Sequence, residues 1–157
     1  MTALDGTLRR HDWNRTAGAD FAAALGKVPL FAKLGRRQLR KIARYAEVAA
    51  FVPGDAVLRS ADSAEFFYVV LRGEAEAREQ GRTRRLRRGD YFGETALLDG
   101  TSHPATVIAT DELYVLRLPG PVFLRLAQQS PTIAFAILTQ LGREVLQGDQ
   151  RLISRAA

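Results

Sequence analysis

The spacing of apolar residues predicts a short helical region after a polar start. Residues 1–18 mix charge, glycine and threonine without periodicity, which indicates a mobile N-terminal arm with Trp13 as a candidate anchor. From Asp20, the segment DFAAALGKVP predicts a short helix that ends near Pro29. The segment RRQLRKIARYA then predicts a second helix, whose apolar face is formed by Leu39, Ile42, Ala43 and Ala46.

The pattern changes between Val48 and Leu118, where the apolar segments become short and rich in β-forming residues. Glycine, proline, aspartate or serine bounds each of them, as expected for strands joined by tight turns. About seven or eight strands are predicted, in a β-sandwich or small barrel. The segments are VAAFV, AVLRS, FFYVVLR, EAEARE, TRRLR, PATVIAT and ELYVLRL.

Helical spacing returns after Pro119. GPVFLRLAQQ predicts one helix, and a longer one follows with Ser130 as its N-cap and Pro131 at its first position. The long helix has an apolar seam that must pack on the β domain or on a second copy of the chain. The seam comprises Leu138, Leu141, Val145 and Leu152, with Gly148 at its remaining position.

Composition places the chain among globular proteins. Its 157 residues, 46% hydrophobic and 25% charged, suit one domain with a buried core. No cysteine is present, which excludes disulfides and thiolate sites, and no apolar run is long enough for a membrane span or a signal peptide. We therefore predict a cytoplasmic protein. The net charge of +6 permits phosphate-bearing ligands, although arginines spread over the whole surface would give the same value.

The segment FGETALLDGTSHPATV, residues 92–107, carries the candidate chemistry. Gly93 and Glu94 form a turn into ETALLD, which has the length of one or two helical turns. Unpaired N–H groups at the start of such a segment can hold an anion, and a glycine lets the ligand approach the backbone closely.

The order of these elements, with VPLFAKL, the VPGD turn, VVLRGEAE, GDYFGETALL and ATV, resembles the cyclic nucleotide-binding domain family from Val28 to Arg143. The resemblance implies a mainly β fold, an eight-stranded jelly-roll barrel flanked by N-terminal helices and a C-terminal helix pair. It places residues 19–157 in one domain after the arm. The implied ligand is cAMP or cGMP, with no other cofactor and no metal.

The family's phosphate-binding cassette implies roles for the candidate site. Gly93 and Ala96 would give close backbone contacts, Glu94 would accept a hydrogen bond from the ribose hydroxyl, and Thr106 would line the pocket. The complete candidate site is Gly93, Glu94, Thr95, Ala96, His103, Pro104, Ala105 and Thr106.

The chain departs from the family at the phosphate. The family's arginine falls on His103, and the next residue, whose N–H donates to a phosphate oxygen, falls on Pro104, which has no N–H. Losing a charge-assisted bond and a neutral one costs about 2 to 4.5 kcal/mol, or roughly 30-fold to more than 1,000-fold in affinity. Three interpretations are possible. His103 could be protonated below about pH 6.5 and bind the phosphate, or an arginine from the run 82–88 or from a partner chain could do so. Alternatively, the pocket binds no cyclic nucleotide.

Two other function classes find little support. The run GRTRRLRRGD could follow a nucleic-acid backbone, but it lacks interleaved aromatic residues and no helix-turn-helix follows the long helix, which argues against nucleic-acid binding. His11 and His103 are the chain's two histidines, too few for a cupin-type metal site, and no nucleophile–base pair has a recognisable spacing. We therefore predict that the protein is not an enzyme.

The prediction is a stand-alone regulatory module that binds cAMP or cGMP weakly or atypically. Its C-terminal helix would move on binding and pass the signal to an unidentified effector protein. The competing hypothesis is a nucleotide-independent assembly module that forms a homodimer through the C-terminal seam.

Overall fold

The computed structural model describes residues 25–139 and residue 142. Its contacts divide the chain into two compact units, the first ending at Leu124 and the second beginning at Arg125. In chain order the elements are a 3₁₀ turn at Pro29–Phe31, α1 at Arg36–Tyr45, β1 at Glu47–Phe51, β2 at Ala56–Leu58, β3 at Phe66–Arg72, β4 at Ala75–Glu79, β5 at Arg82–Leu86, β6 at Tyr91–Phe92, α2 at Glu94–Asp99, β7 at Thr106–Ala109, β8 at Leu113–Pro119, α3 at Gly120–Gln129 and α4, helical over residues 131–139.

The first unit contains two four-stranded antiparallel sheets. One has the strand order β1-β8-β3-β6 and the other β2-β7-β4-β5. The prediction of a mainly β domain is confirmed. The prediction of a closed barrel is wrong, because among the described strands the two sheets do not join edge to edge through hydrogen bonds and instead form an open sandwich.

Strand β3 is the centre of the packing. It lies between β8 and β6, so neither edge is free, and four consecutive residues, 67–70, are buried. Tyr68 faces the space between the sheets and stacks on Phe92, with ring centroids 4.9 Å apart. Phe67 points the other way and stacks on Phe123 of α3 at 4.2 Å. The continuous apolar run FFYVVL thus fits a strand covered on both faces.

Strand β6 was missed from the sequence. No strand is predicted at Tyr91 and Phe92, but these residues pair with Val69 and Tyr68 of β3. Two residues are too few to show an alternating pattern, and a tight turn at Gly89 leads directly into them.

The predicted helices α1 and α3 are both present. In α1, Leu39 and Ile42 are buried and Ala43 is half-buried, as the apolar spacing indicated. The predicted helix before Pro29 lies largely outside the described residues, although positions 25 and 26 are helical. The predicted arm over residues 1–18 and its Trp13 also lie outside the described part of the chain. Of the helices that the structure describes, none is long and apolar enough to cross a membrane.

The second unit confirms the predicted start of the last helix. The Ile133 N–H donates to Ser130 Oγ at 3.4 Å, which is the N-cap geometry, and Pro131 occupies the first helical position. Ile133 and Ile137 are buried, whereas Phe135 is 73% and Leu138 is 66% exposed. The other seam positions, Leu141, Val145, Gly148 and Leu152, lie outside the described residues.

Candidate functional site

Two left-handed glycines bound the helix at the centre of the candidate site. Gly93, with φ +87°, precedes α2, and Gly100, with φ +67°, ends it by donating its N–H to the Ala96 carbonyl. A side chain is strongly disfavoured in this conformation, so glycine sets both ends of the six-residue helix. The prediction of one or two helical turns over ETALLD is confirmed.

Gly93 is also required by packing. A Cβ on this residue would lie 2.9 Å from the Phe66 carbonyl oxygen and 3.2 Å from the Tyr68 ring. The turn is therefore pressed against β3, and its backbone can present N–H groups on its other side without an intervening side chain.

Glu94 and Ala96 are buried at the start of α2. Glu94 is only 4% exposed and is not an unpartnered charge, as expected because an isolated buried carboxylate is very costly. Ala96 is 1% exposed, and Thr95 between them is half-buried. The carboxylate at the helix start also interacts favourably with the helix dipole.

The His103 loop is fixed to the turn between β2 and β3. The His103 N–H donates to the Asp62 carbonyl at 3.0 Å, and the His103 carbonyl accepts from the Ala61 N–H at 2.9 Å. A bridge between Ser63 and Ser102 continues this pairing. The two loops therefore form a small antiparallel pair that positions the second half of the cassette.

The His103 imidazole is buried, with 6% of the residue exposed. Burial lowers its pKa from 6.5 because it disfavours the charged form, and nearby Asp62 opposes this shift. Folded His103 is accordingly neutral at physiological pH in the absence of a bound anion. Pro104 is exposed and Ala105 is half-buried beside it.

Thr106 makes a structural hydrogen bond. Its Oγ1 accepts from the Ser60 N–H at 2.9 Å, which ties the start of β7 to the end of β2. Side chains alternate along β7, so Thr106 lies on the opposite face from the buried Val107, which belongs to the core between the sheets.

The register of β5 separates the arginines of the run 82–88. Arg82 and Arg84 share a strand face with the buried Leu86, whereas Arg85 lies on the other face and forms an ion pair with Glu74 at 2.7 Å. Arg84 pairs with Ala77, and Ala77 pairs in turn with Val107 next to the cassette. Arg84 therefore lies in the same row of the second sheet as Val107 of β7, and only the small side chain of Ala77 lies between them.

Ala61, Asp62 and Tyr68 contact the candidate site, although no sequence pattern predicts it. Ala61 and Asp62 fall between two predicted strands, and Tyr68 is predicted only as part of a strand. Their contacts with His103 and Gly93 depend on the register between distant segments, for which a single sequence gives no signal.

An open polar groove of about 540 Å³ lies elsewhere, on the outer face of β4 and β5. It is lined by Glu74, Glu76, Thr83, Arg85, Thr110 and Asp111, and its Glu74 and Glu76 carboxylates already pair with Arg85 and Arg78. Within the described chain, no group of three or more His, Cys, Asp or Glu residues could hold a metal ion.

Comparison with known proteins identifies the family to which the chain is similar. A model of the cyclic nucleotide-binding domain matches residues 48–130, more than half of the chain. The cAMP-dependent protein kinase regulatory subunit of Yarrowia lipolytica is 34% identical over 140 residues, which cover 82% of this chain and 36% of that protein. The chain therefore spans about a third of the length of that regulatory subunit.

Two solved structures share the fold. The regulatory domain of Toxoplasma gondii PKA in a co-crystal with cAMP superposes with a TM-score of 0.72 at 24% identity, covering 85% of this chain and 52% of that one. The Thermus thermophilus catabolite activator protein superposes with a TM-score of 0.67 at 25% identity, covering 79% and 61%.

Proposed function

The chain belongs to the cyclic nucleotide-binding domain family, and we propose that it is a regulatory module whose cassette binds cAMP or cGMP weakly. The observation that carries this proposal is the turn at Gly93. Its left-handed backbone is held against Phe66 and Tyr68, and the buried Glu94 follows it directly. In the proposed site, Gly93 gives the ligand a close backbone contact and Glu94 accepts a hydrogen bond from the ribose hydroxyl, the roles that the resemblance to the family implies.

The phosphate would be held less well than in a typical member. Pro104 supplies no N–H, and the neutral, buried His103 supplies no charge at physiological pH. The two missing interactions are together worth about 2 to 4.5 kcal/mol, which corresponds to a loss of roughly 30-fold to more than 1,000-fold in affinity.

Arg84 is the best-placed substitute cation in the run 82–88. It lies on the same strand face as Leu86 and in the same sheet row as Ala77 and Val107. Thr83 and Arg85 lie on the opposite face, because side chains alternate along β5. An anionic ligand between the sheets would therefore meet the guanidinium of Arg84 rather than that of Arg85.

Contact between α2 and α3 provides a route for the signal. A Cβ added to Gly120, the first residue of α3, would lie 2.6 Å from Leu97 Cδ2 of α2. Movement of α2 on ligand binding would therefore displace α3 through this contact. We propose that the C-terminal helices pass this movement to an effector protein.

Calorimetric titration with cAMP and cGMP at pH 7.5 and pH 6.0 tests the proposal. Three proteins are compared: the natural chain, His103→Arg combined with Pro104→Ala, and Arg84→Ala. We expect weak binding by the natural protein, a gain of 30-fold or more for the double variant, and a loss for Arg84→Ala. If neither the natural chain nor the double variant binds, the proposed function is wrong.

A second candidate function rests on α4. Phe135 and Leu138 are large apolar residues that are mostly exposed, and they lie three positions apart on one helix. A nucleotide-independent assembly module would use such a surface to form a homodimer. Size-exclusion chromatography with light scattering separates the two functions, because a fixed dimer that is indifferent to cAMP favours assembly.

A further inference from the structure

The positive charge of the chain is concentrated in one segment. Residues 21–46 contain seven Lys or Arg residues and no Asp or Glu, a charge of +7, whereas the whole chain carries +6. The remaining residues therefore sum to −1. The composition allowed arginines that are spread over the whole surface, but the net positive charge is confined to this one segment.

The structure places most of this charge on one face of α1. At about 100° per residue, the five basic residues of the helix fall within an arc of roughly 140°. The opposite face carries the buried Leu39 and Ile42. We call the exposed side the basic face; it comprises Arg36, Arg37, Arg40, Lys41 and Arg44, all of them exposed.

The basic face is electrostatically unfavourable for the isolated domain. Arg36 and Arg40, and likewise Arg40 and Arg44, are like charges four residues apart, a spacing that destabilises a helix. Arg36 and Arg37 also lie in the first turn, where the helix dipole is positive and no acidic residue is present. Within residues 25–139, none of the five forms an ion pair with a carboxylate.

We propose that the basic face binds the sugar-phosphate backbone of single-stranded nucleic acid, a function separate from the cyclic nucleotide site. Arg36, Arg40 and Arg44 form a row with a spacing of about 6 Å, so several phosphates of one strand can be contacted together. Four of the five side chains are arginines, whose planar guanidinium groups bind phosphate in a bidentate manner.

Tyr45 supplies the aromatic group that the run 82–88 lacks. It is 47% exposed and follows Lys41 by one helical turn, beside the basic face. A base can stack on its ring while the phosphates lie along the arginines. The apolar residues of α1 are already buried in the domain, so the helix has no free apolar face to insert into a lipid surface, which favours nucleic acid over a membrane.

Fluorescence anisotropy with a fluorescein-labelled, mixed-sequence, 20-nucleotide single-stranded DNA tests the proposal on the full chain. Five phosphate contacts give a slope of about −3.5 in log Kobs against log salt, so affinity should fall about 100-fold between 50 and 200 mM salt. Replacing Arg36, Arg37 and Arg40 by Gln should weaken binding at least 10-fold at 50 mM salt and reduce the slope by about 2. Tyr45→Ala should weaken binding about 5-fold or more with the slope unchanged.

The matched control removes the same charge elsewhere, with Arg82, Arg87 and Arg88 replaced by Gln on the β5 side of the domain. It should leave affinity within about 2-fold of the natural protein. Circular dichroism checks that the α1 variant folds, and loss of like-charge repulsion should leave its melting temperature unchanged or higher.

Three results would overturn the proposal. One is no binding of the oligonucleotide at 50 mM salt. Another is equal weakening by the control, which would indicate non-specific attraction to net charge. The third is binding to vesicles of 30% phosphatidylserine in phosphatidylcholine in place of the oligonucleotide, which would assign the basic face to a membrane.

Discussion

His103 and Asp62 are joined by a backbone hydrogen bond of 3.0 Å that closes the cassette loop onto the turn between β2 and β3. The pairing holds the imidazole in a position where only 6% of the residue is exposed. His103 is therefore a buried, neutral side chain at the junction of two loops.

The first prediction concerns stability against pH. Burial lowers the pKa of folded His103 below 6.5, so between pH 6.5 and that lower pKa the unfolded chain binds a proton that the folded chain does not. This contribution to stability is complete above pH 6.5 and is lost as the pH falls through that window. Urea unfolding of the natural protein and of His103→Gln between pH 5 and 8 should show a steeper decline for the natural protein. Parallel profiles would contradict the assigned burial of the imidazole.

The second prediction isolates the missing N–H at position 104. Pro104→Ala restores a backbone donor at an exposed position and should raise affinity for cAMP about 2- to 13-fold, the equivalent of one neutral hydrogen bond. Titration calorimetry measures the change. Pro53 is also an exposed proline, in the turn between β1 and β2, so Pro53→Ala is the matched control and should leave affinity unchanged. An equal effect of the two substitutions would show that the donor at 104 is not the cause.

The third prediction separates the two reasons for glycine at position 93. Gly93→Ala places a side chain at φ +87° and also against Phe66 and Tyr68. Gly54→Ala has a similar φ, +94°, but no neighbour within 4 Å, so it measures the conformational cost alone, about 1–2 kcal/mol. Gly93→Ala should exceed Gly54→Ala by about 1 kcal/mol or more in the free energy of unfolding measured with urea. Equal costs would mean that β3 relaxes away from the turn.

The fourth prediction concerns the helix start in the second unit. Ser130→Ala removes the oxygen that caps the Ile133 N–H and should destabilise α4, by about 1 kcal/mol. Thr139→Ala removes a hydroxyl that bonds back to the Phe135 carbonyl within the same helix, an interaction that contributes little, and should change stability by less than about 0.5 kcal/mol. Urea unfolding followed by circular dichroism measures the change in the free energy of unfolding for each variant. A larger loss for Thr139→Ala would contradict the cap assignment.

Local patterns predicted the elements that are set by local interactions. The spacing of Leu39 and Ile42 defined α1, the glycine before Glu94 defined the start of α2, and Ser130 with Pro131 defined the start of α4. The continuous apolar run of β3 also identified a strand, since a strand between two others is buried on both faces.

Features that depend on contacts between distant segments were not predictable. Whether two sheets close into a barrel depends on hydrogen bonds between their edges, and local sequence patterns do not predict such bonds. The orientation of Arg84 follows from its pairing with Ala77, and the burial of His103 follows from its pairing with Asp62. In both cases the residue type was noted, but its environment depends on a partner far away in the sequence.

The fifth prediction tests the contact between the cassette helix and α3. Gly120→Ala should destabilise the domain because its Cβ would overlap Leu97 Cδ2 at 2.6 Å and also approach the Glu65 carbonyl oxygen at 3.3 Å. In a Leu97→Ala background the larger overlap is gone and only the approach to the Glu65 carbonyl oxygen remains, so the same change should cost less. Urea unfolding of the four proteins gives the coupling energy, for which we expect about 0.5–3 kcal/mol.

Leu98→Ala supplies the control background for this cycle. Leu98 is the next residue of α2 but is 41% exposed, so its removal should leave the full cost of Gly120→Ala in place. If the cost disappears equally in both backgrounds, α2 relaxes as a whole and Leu97 is not the specific contact. If it disappears only with Leu97→Ala, a single side chain connects the cassette helix to α3. The titration of Leu97→Ala with cyclic nucleotide would then show whether that connection also affects binding.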